Sequence, residues 1–413
     1  MKNRFVVAAL SGLAMTVAAH AGAQTTSAAG EYANAPDSLK INQLQVLGTH
    51  NSYAMPVDPR VLALAAPGFE KMVAALRQLP AERRALFEEE HPNPIGILEA
   101  LNYAHPDLKT QLEEGVRSLE IDVNPDPKGG TFSDPVAYRM LRAQGVTDLL
   151  PFDATGLDKP GYKVLHIPDV DFRSHCPTLT LCLRQIRDWS DAHPRHGPLF
   201  IMLEAKVDDA SPLPNATRTV PFDAKLFDDL DTEILSVLGR ERLITPDDVR
   251  GRHTTLNQAV RAGDWPTLKA ARGKIMFFMI TASGPAGTLA YLDGHPSLKG
   301  RVAFLRAEPG EDHAAVLLMD NALVRADDIR RYVKEGYIIR SRSDIETYEA
   351  KVNDMGRAKA AFASGAQIVS TDFEHPGNAY GTDYVVRLPD GGPVRCNPVL
   401  APNCKPTPTA PPR

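Results

Sequence analysis

Acidic side chains lie in and after apolar runs of the sequence. Glu120 and Asp122 are separated by one residue within Val116–Val123, so on a β-strand both side chains point to the same face. Two carboxylates held this close repel each other and lose hydration unless a cation lies between them. Glu204 ends another apolar run, and Asn51 adds a neutral amide oxygen. Oxygen ligands of this kind suit a hard divalent cation, so we expect a metal site for Ca²⁺, with Mg²⁺ as the second choice.

The Glu-x-Asp pair taken alone would also fit a solvated strand edge. The metal site is favoured because all four residues fall at the ends of predicted strands, where the carboxyl ends of a parallel sheet meet.

Two histidines directly follow apolar runs, which places His50 and His166 at strand exits near the expected cation. Imidazole titrates near neutrality, so one ring can accept a proton while another donates one. We therefore expect His50 and His166 to be a catalytic acid–base pair, although a single histidine in such a place is more often structural. Asp372 ends the last apolar run and is expected to support His50 by accepting its ring proton, as a carboxylate does in a catalytic triad.

Three basic residues also lie at predicted strand ends. Arg340 and Arg342 present planar forks suited to phosphate oxygens, and Lys206 presents a point charge. We expect them to bind anionic groups of a substrate. A salt bridge within the protein is the alternative for each.

Eight apolar runs, separated by polar loops and helical patterns, would position these residues. Two intervals between run starts, from 41 to 116 and from 199 to 274, are longer than one βα unit needs. The pattern predicts an α/β fold, a TIM-type (β/α)8 barrel with helical insertions after strands 1 and 4. Ala314–Met319 competes with the sixth run. The runs are Ile41–Leu47, Val116–Val123, Lys163–His166, Leu199–Leu203, Lys274–Ile280, Val302–Leu305, Tyr337–Ile339 and Gln367–Ser370.

The composition excludes several classes of protein. Of the 413 residues, 43% are hydrophobic and 23% are charged, which are ordinary globular proportions and argue against a disordered, collagen-like or multi-spanning membrane protein. The formal net charge is −5, and the sequence has no block of basic residues that could bind along a phosphate backbone. No nucleic acid partner is therefore expected. No protein partner is predicted either.

Both ends of the chain read as segments outside the folded domain. Residues 1–23 resemble a signal peptide, with Lys2 and Arg4 before an apolar run and Ala-Gly-Ala at 21–23, so an exported protein, periplasmic or secreted, is expected. A membrane anchor is the alternative. Residues 24–395 are expected to form a single barrel domain. Residues 396–413 form a Pro-rich tail, with six prolines between Asn397 and Arg413.

Four cysteines are informative if the protein is exported. In an oxidising compartment, the simplest of the three possible disulfide pairings joins Cys176 to Cys182 and Cys396 to Cys404. A metal site at His175, Cys176 and Cys182 is the alternative, but no Cys-x2-Cys pair supports it.

Taken together, these residues resemble the calcium-dependent phosphatidylinositol-specific phospholipase C-like phosphodiesterases over about residues 41–374. The resemblance lies in Gly48-Thr49-His50-Asn51-Ser52-Tyr53, Glu120-x-Asp122, Val164-Leu165-His166, Leu203-Glu204 and Arg340-x-Arg342. It implies a TIM-type barrel, with His50 as general base and His166 as general acid. It also implies that the calcium ligands are Asn51, Glu120, Asp122 and Glu204.

The implied reaction is cleavage of a phosphoinositide or related phosphodiester by a neighbouring hydroxyl of the substrate, which leaves a cyclic phosphate that water opens later. The expected partner is a phospholipid headgroup or a soluble phosphodiester, with transient contact to a membrane surface. A glycerophosphodiester phosphodiesterase is a second reading, but its first motif usually continues His-Arg-Gly, whereas here Asn51-Ser52 follows His50. A noncatalytic protein that binds inositol phosphates or glycolipid headgroups is a third.

Overall fold

The computed structural model describes residues 35–76, 78–206, 211–281, 284–389 and 391–404. The predicted signal peptide, residues 1–23, and the end of the predicted tail, residues 405–413, lie outside the described residues.

Eleven strands lie in the described residues: β1 (Leu44–Thr49), β2 (Ser118–Asp126), β3 (Gly161–Lys163), β4 (Leu199–Ala205), β5 (Leu243–Ile244), β6 (Ile275–Thr281), β7 (Phe304–Leu305), β8 (Val316–Asn321), β9 (Ile338–Arg342), β10 (Ile368–Thr371) and β11 (Val394–Cys396).

Fourteen α-helices lie in the same residues: α1 (Pro59–Leu76), α2 (Ala81–Glu90), α3 (Ile97–Ala100), α4 (Leu108–Glu113), α5 (Val136–Ala143), α6 (Leu179–Ala192), α7 (Ala224–Leu238), α8 (Pro246–Arg250), α9 (Leu256–Arg261), α10 (Leu268–Ala271), α11 (Pro285–Leu292), α12 (Ala322–Lys334), α13 (Tyr348–Val352) and α14 (Gly356–Ser364).

The strands form one curled, mainly parallel sheet. Its order is β5-β6-β4-β2-β1-β10-β9-β8, and β7 lies parallel to β6. A parallel bridge between Arg306 and Val316 links the end of β7 to the start of β8. The antiparallel strands β3 and β11 pair with β2 and β1 at the margins. The predicted α/β class with a parallel sheet is therefore confirmed.

Two predicted strands need correction. Residues 161–163, not Lys163–His166, form the strand in that region, and β3 is antiparallel to β2 rather than part of the parallel series. The reason is that β4 pairs with β2 only as far as Val123, so the last residues of β2 have a free edge that β3 takes. The competing run Ala314–Met319 is not an alternative to Val302–Leu305, because both regions contain parallel strands, β8 and β7.

Apolar side chains on both faces stabilise the central strands. β2, β4 and β6 are almost entirely buried, as expected for parallel strands covered on both sides. Helices pack outside them, and side-chain caps define where those helices begin. The Thr178 hydroxyl accepts from the Leu181 N–H at the start of α6, and Asp223 accepts from the Leu226 N–H at the start of α7.

The connection between β1 and β2 contains four helices and has its own small core. Val61 and Phe69 of α1 are buried against Tyr138 of α5 and Phe172, in a cluster separate from the main core. The Phe172 ring meets Tyr138 edge-to-face at 4.8 Å. This second core holds the connection against α5 and the segment that follows β3.

Two disulfides join Cys176 to Cys182 and Cys396 to Cys404, the local pairing that sequence separation favours. Within the described ranges, none of the helices combines the length and apolar character that crossing a bilayer would require.

A buried histidine in the loop before β4 makes stability depend on pH. His196 faces the Gly197 carbonyl and Ser190 hydroxyl, and burial lowers the pKa of His196 from 6.5 to about 4. As the pH falls from 6.5, His196 binds a proton in the unfolded chain but stays unprotonated in the folded chain. The free energy of unfolding therefore falls until about pH 4.

We predict that His196→Gln makes the unfolding free energy less dependent on pH between 6.5 and 4, by about 3 kcal/mol across that range. Urea unfolding at several pH values measures this, with the exposed His375→Gln as control. An unchanged pH dependence in His196→Gln would contradict the assignment.

Candidate active site

The first turn after β1 is fixed against β2 by a reciprocal pair of hydrogen bonds. The Ser52 N–H donates to the Glu120 carbonyl at 2.9 Å, and the Glu120 N–H donates to the Ser52 hydroxyl at 2.8 Å. Gly48 permits this approach, since a Cβ there would lie 2.8 Å from the Ser118 Cβ. The turn therefore places His50 and Asn51 beside the carboxylates of β2.

Three carboxylates converge at the carboxyl ends of β2 and β4. Asp122 and Glu204 are in register on neighbouring parallel strands, and Glu120 precedes Asp122 on the same face. One oxygen from each of these three side chains lies within 4.8 Å of the others. We call Glu120, Asp122 and Glu204 the acidic triad.

Glu120 and Asp122 of the acidic triad are buried, and Glu204 is partly exposed. Burial raises the pKa of Glu120 to about 8, with Asp122 and Glu204 adding to the effect, and burial raises the pKa of Asp122 to about 6. The Asp122 side chain is fully buried, and its Oδ2 lies 3.3 Å from Lys206 Nζ. Buried, close oxygens of this kind fit a divalent cation.

Asn51, in the turn after β1, has a left-handed backbone conformation, with φ 47°. Its side-chain N–H donates to the Tyr103 hydroxyl at 2.7 Å, while the amide oxygen faces the Tyr53 hydroxyl at 3.5 Å. The amide is thus oriented by two buried tyrosines. Sequence analysis identified neither tyrosine as a site residue.

The three basic residues predicted to bind substrate form ion pairs with carboxylates of the site. Lys206 Nζ lies 3.1 Å from Glu204 Oε1 and 3.3 Å from Asp122 Oδ2. The other pairs are Arg340 with Glu120 at 2.7 Å and with Asp320 at 2.6 Å, and Arg342 with Asp372 at 2.6 Å. Asp320, on β8, is a further site carboxylate that the sequence pattern did not single out.

His50 is held with one ring nitrogen free. Its Nδ1 lies 2.9 Å from Asp372 Oδ1, and its Nε2 lies 3.8 Å from Glu120 Oε1. Burial, assisted by Arg342, lowers the pKa of His50 to about 4 despite the opposing effect of Asp372. The ring is therefore neutral near pH 7, and with Nδ1–H donated to Asp372 its Nε2 can accept a proton.

His166 was predicted at the end of a parallel strand, but it lies in the loop after the antiparallel strand β3. The Asn124 side chain fixes this loop beside β2 by donating to the Leu165 carbonyl at 2.9 Å. His166 Nδ1 lies 2.9 Å from Asp171 Oδ2. Burial alone would lower the pKa of His166, but Asp171 raises it above its ordinary value.

The charges around Glu204 favour its ionised form. Burial would raise the pKa of Glu204, but Lys206 and then His166 and His50 lower it below its ordinary value. Sequence analysis did not single out Asp171. The sequence did contain one signal for it. Asp171 follows His166 by five residues and Pro168 by three, and a tight turn after the proline can bring its carboxylate back to the imidazole of His166.

The family described as "Phosphoinositide phospholipase C, Ca2+-dependent" matches the chain over residues 39–398. The chain belongs to this family. The resemblance stated from the motifs is thereby confirmed, and the protein is a phospholipase C-type phosphoric diester hydrolase. No curated protein sequence matches the chain.

Several solved structures are similar to this phospholipase C-family chain. A Ca²⁺-dependent phosphatidylinositol-specific phospholipase C from Streptomyces antibioticus has 19% identity and a TM-score of 0.47, covering 81% of this chain and 95% of its own. A calcium-dependent phosphoinositol-specific enzyme from Pseudomonas sp has 14% identity and a TM-score of 0.48, covering 87% and 96%. The Listeria monocytogenes phosphatidylinositol-specific enzyme has 10% identity and a TM-score of 0.43, covering 84% and 94%.

A cavity of about 630 Å³ lies beside the site of this phospholipase C-family chain. Arg342 and Asp320 form its inner wall, and Arg306, at the end of β7, lies at its exposed margin. The Arg306 side chain makes no ion pair with described residues. It is a candidate for contact with an anionic substrate, and sequence analysis did not include it because the run Val302–Leu305 ends before it.

We predict that Asp122→Asn weakens Ca²⁺ binding by about tenfold or more, because it removes a buried charged oxygen from the acidic triad. Asp126→Asn is the matched control, since Asp126 is equally buried on the same strand but accepts hydrogen bonds from Gly129 and Thr131. Calorimetric titration measures the affinity. Equal Ca²⁺ affinity in Asp122→Asn and the wild type would contradict a metal site at the acidic triad.

Proposed function

We propose that this protein is an exported, Ca²⁺-dependent phosphodiesterase that cleaves phosphatidylinositol or a related phosphodiester by attack of a neighbouring hydroxyl of the substrate. One observation supports this most: His50 Nε2 lies 3.8 Å from the acidic triad, and His50 and His166 have carboxylate partners and opposite pKa shifts that suit opposite proton-transfer roles. His50 is the general base and His166 the general acid.

The proposed metal ligands are Asn51, Glu120, Asp122 and Glu204. A bound Ca²⁺ would lower the pKa of the attacking hydroxyl and offset charge on the phosphate oxygens. The chemistry of the donor set supports this choice, since it consists of carboxylate and amide oxygens alone. Mg²⁺ remains the second choice.

His50 accepts the proton of the attacking hydroxyl in this proposal. Its contact with Asp372 makes Nδ1 the donor, so the lone pair is on Nε2, the nitrogen nearer Glu120. The lowered pKa of His50 keeps the base unprotonated near neutral pH. Asp372 is thus proposed to support His50 by accepting its ring proton.

His166 protonates the departing alkoxide. The nearby Asp171 raises the pKa of His166, which favours the protonated ring that a general acid requires. The product is a cyclic phosphate. In a second step the roles reverse. His166 accepts a proton from the water that attacks the cyclic phosphate, and His50 returns a proton to the substrate oxygen that leaves phosphorus.

Lys206, Arg340 and Arg342 are proposed to hold anionic oxygens of the substrate. Their ion pairs with the site carboxylates keep these cations at the reaction centre before substrate arrives. We infer that they turn towards phosphate oxygens when a divalent ion neutralises the carboxylates.

We also infer that the curled sheet is a TIM-type barrel. Its eight strands would be β1, β2, β4 and β6 to β10, closed where Arg306 bridges Val316, with helical insertions after β1 and β4. A barrel explains why the functional side chains come from strand ends that are distant in sequence.

Export is supported by the two disulfides, which persist in oxidising compartments, and by the signal-like residues 1–23. We therefore propose a periplasmic or secreted protein whose partner is a phospholipid headgroup or a soluble phosphodiester.

We predict that the purified protein releases a cyclic inositol phosphate from phosphatidylinositol with Ca²⁺, and at a lower rate with Mg²⁺. Phosphorus NMR identifies the product, with glycerophosphoinositol as a soluble substrate and a chelator-treated sample as control. Equal turnover after chelation, or a direct monoester product with no cyclic intermediate, would contradict the proposal.

We predict that His50→Ala and His166→Ala each reduce kcat by about 10²- to 10⁴-fold, the usual contribution of one acid–base group. The exposed His375→Ala is the control. Circular dichroism checks that each variant is folded. A folded variant of either residue with wild-type turnover would remove that histidine from the mechanism.

We predict that Asp171→Asn reduces kcat by about ten- to a hundredfold with little change in KM, because it removes the charge that keeps His166 protonated but preserves the side-chain size. Steady-state kinetics on phosphatidylinositol measures both constants. An unchanged kcat would show that Asp171 has no part in proton transfer.

A further inference from the structure

A second histidine–carboxylate pair lies behind His50, outside the set of residues that the mechanism uses. His105, in the connection between β1 and β2, and Glu374, after β10, have side chains that are 0% and 1% exposed. His105 Nδ1 lies 3.0 Å from each of the two Glu374 carboxylate oxygens. We call these two residues the His105–Glu374 couple.

The other ring nitrogen of His105 contacts the backbone of the proposed base. His105 Nε2 lies 2.8 Å from the His50 carbonyl oxygen. A carbonyl oxygen only accepts hydrogen bonds, so Nε2 carries a proton. With a carboxylate at Nδ1, the ring is an imidazolium that donates in both directions.

That carbonyl belongs to the peptide unit between His50 and Asn51. Asn51 has a positive φ of 47°, a conformation that few residues other than glycine adopt and that the surrounding structure must maintain. The orientation of this one peptide unit therefore sets the direction of two side chains, the base and a proposed metal ligand.

The remaining polar groups of His50 are also held. Its N–H donates to the Thr371 carbonyl at 3.1 Å, and its Nδ1 contacts Asp372. Glu374 lies two residues after Asp372, so the same short segment holds the His50 ring directly and its carbonyl through His105. Only Nε2 of His50 is left for proton transfer.

We propose that the His105–Glu374 couple is a positioning device that fixes the His50–Asn51 peptide and thereby aligns the general base with the metal site. This rests on the proposed function for its kinetic consequence. The couple does not touch the substrate or the reacting atoms in this proposal, so it affects kcat and metal affinity more than KM.

Two neutral substitutions separate positioning from general stability. Gln places its amide nitrogen near the position of imidazole Nε2, whereas Asn places it near Nδ1. Both His105→Gln and His105→Asn lose the charged contact with Glu374, but only His105→Gln can still donate to the His50 carbonyl.

The test measures kcat, KM and, by calorimetry, Ca²⁺ affinity for both variants and for the exposed control His375→Asn. We expect His105→Asn to lose about ten- to a hundredfold in kcat and to bind Ca²⁺ more weakly, with KM nearly unchanged. We expect His105→Gln to recover most of both losses. Equal losses in the two variants, or a folded His105→Asn with wild-type kcat and Ca²⁺ affinity, would overturn the proposal.

A measurement on the wild-type protein keeps the test decisive if the variants do not fold. Nitrogen-15 NMR of labelled histidine should show protons on both ring nitrogens of His105 at pH 7. An unprotonated Nε2 would overturn the proposal, because it could not donate to the His50 carbonyl. Failure of the proposed function is distinguishable, since it would appear as absent wild-type turnover while the Ca²⁺ affinities and the NMR signals still report on the couple.

Discussion

The repulsion among buried carboxylates at one rim of the sheet is the constraint on which the rest of the site depends. Five carboxylates and three side-chain cations are connected by ion pairs there: Glu120, Asp122, Glu204, Asp320 and Asp372 with Lys206, Arg340 and Arg342. The carboxylates exceed the cations by two charges, which is the charge of one Ca²⁺. Burial raises the pKa of Glu120 to about 8, and the excess of negative charge from Asp122 and Glu204 adds to the effect.

The proposed mechanism gives different roles to two chemically identical side chains. Arg342 and burial favour the neutral ring at His50, whereas Asp171 favours the protonated ring at His166. Each histidine has a carboxylate at Nδ1. At His50, burial and Arg342 outweigh the effect of Asp372 on the pKa, whereas at His166 the effect of Asp171 outweighs burial. In the proposed mechanism an acid and a base are thereby available at one pH, which phosphodiester cleavage through a neighbouring hydroxyl requires.

Different parts of the site differ in how far the sequence could predict them. Glu120, Asp122 and Glu204 could be placed together because side chains alternate along a strand and parallel strands end at one edge. His166 could not be placed correctly, since β3 turned out to complete the free edge of β2. Asp171, in the loop after β3, has no periodicity to reveal it. His105 lies 55 residues from the carbonyl it contacts, and Glu374 lies 269 residues from His105, so only tertiary structure brings them together.

The central claim is that the acidic triad and Asn51 bind one Ca²⁺ between two imidazoles, and a crystal structure grown with Ca²⁺ tests it most directly. The account predicts anomalous density with oxygen ligands from Asn51, Glu120, Asp122 and Glu204 at about 2.3–2.6 Å, and Lys206 Nζ displaced from Asp122. Full occupancy of Ca²⁺ elsewhere, with Lys206 still bridging Asp122 and Glu204, would contradict it.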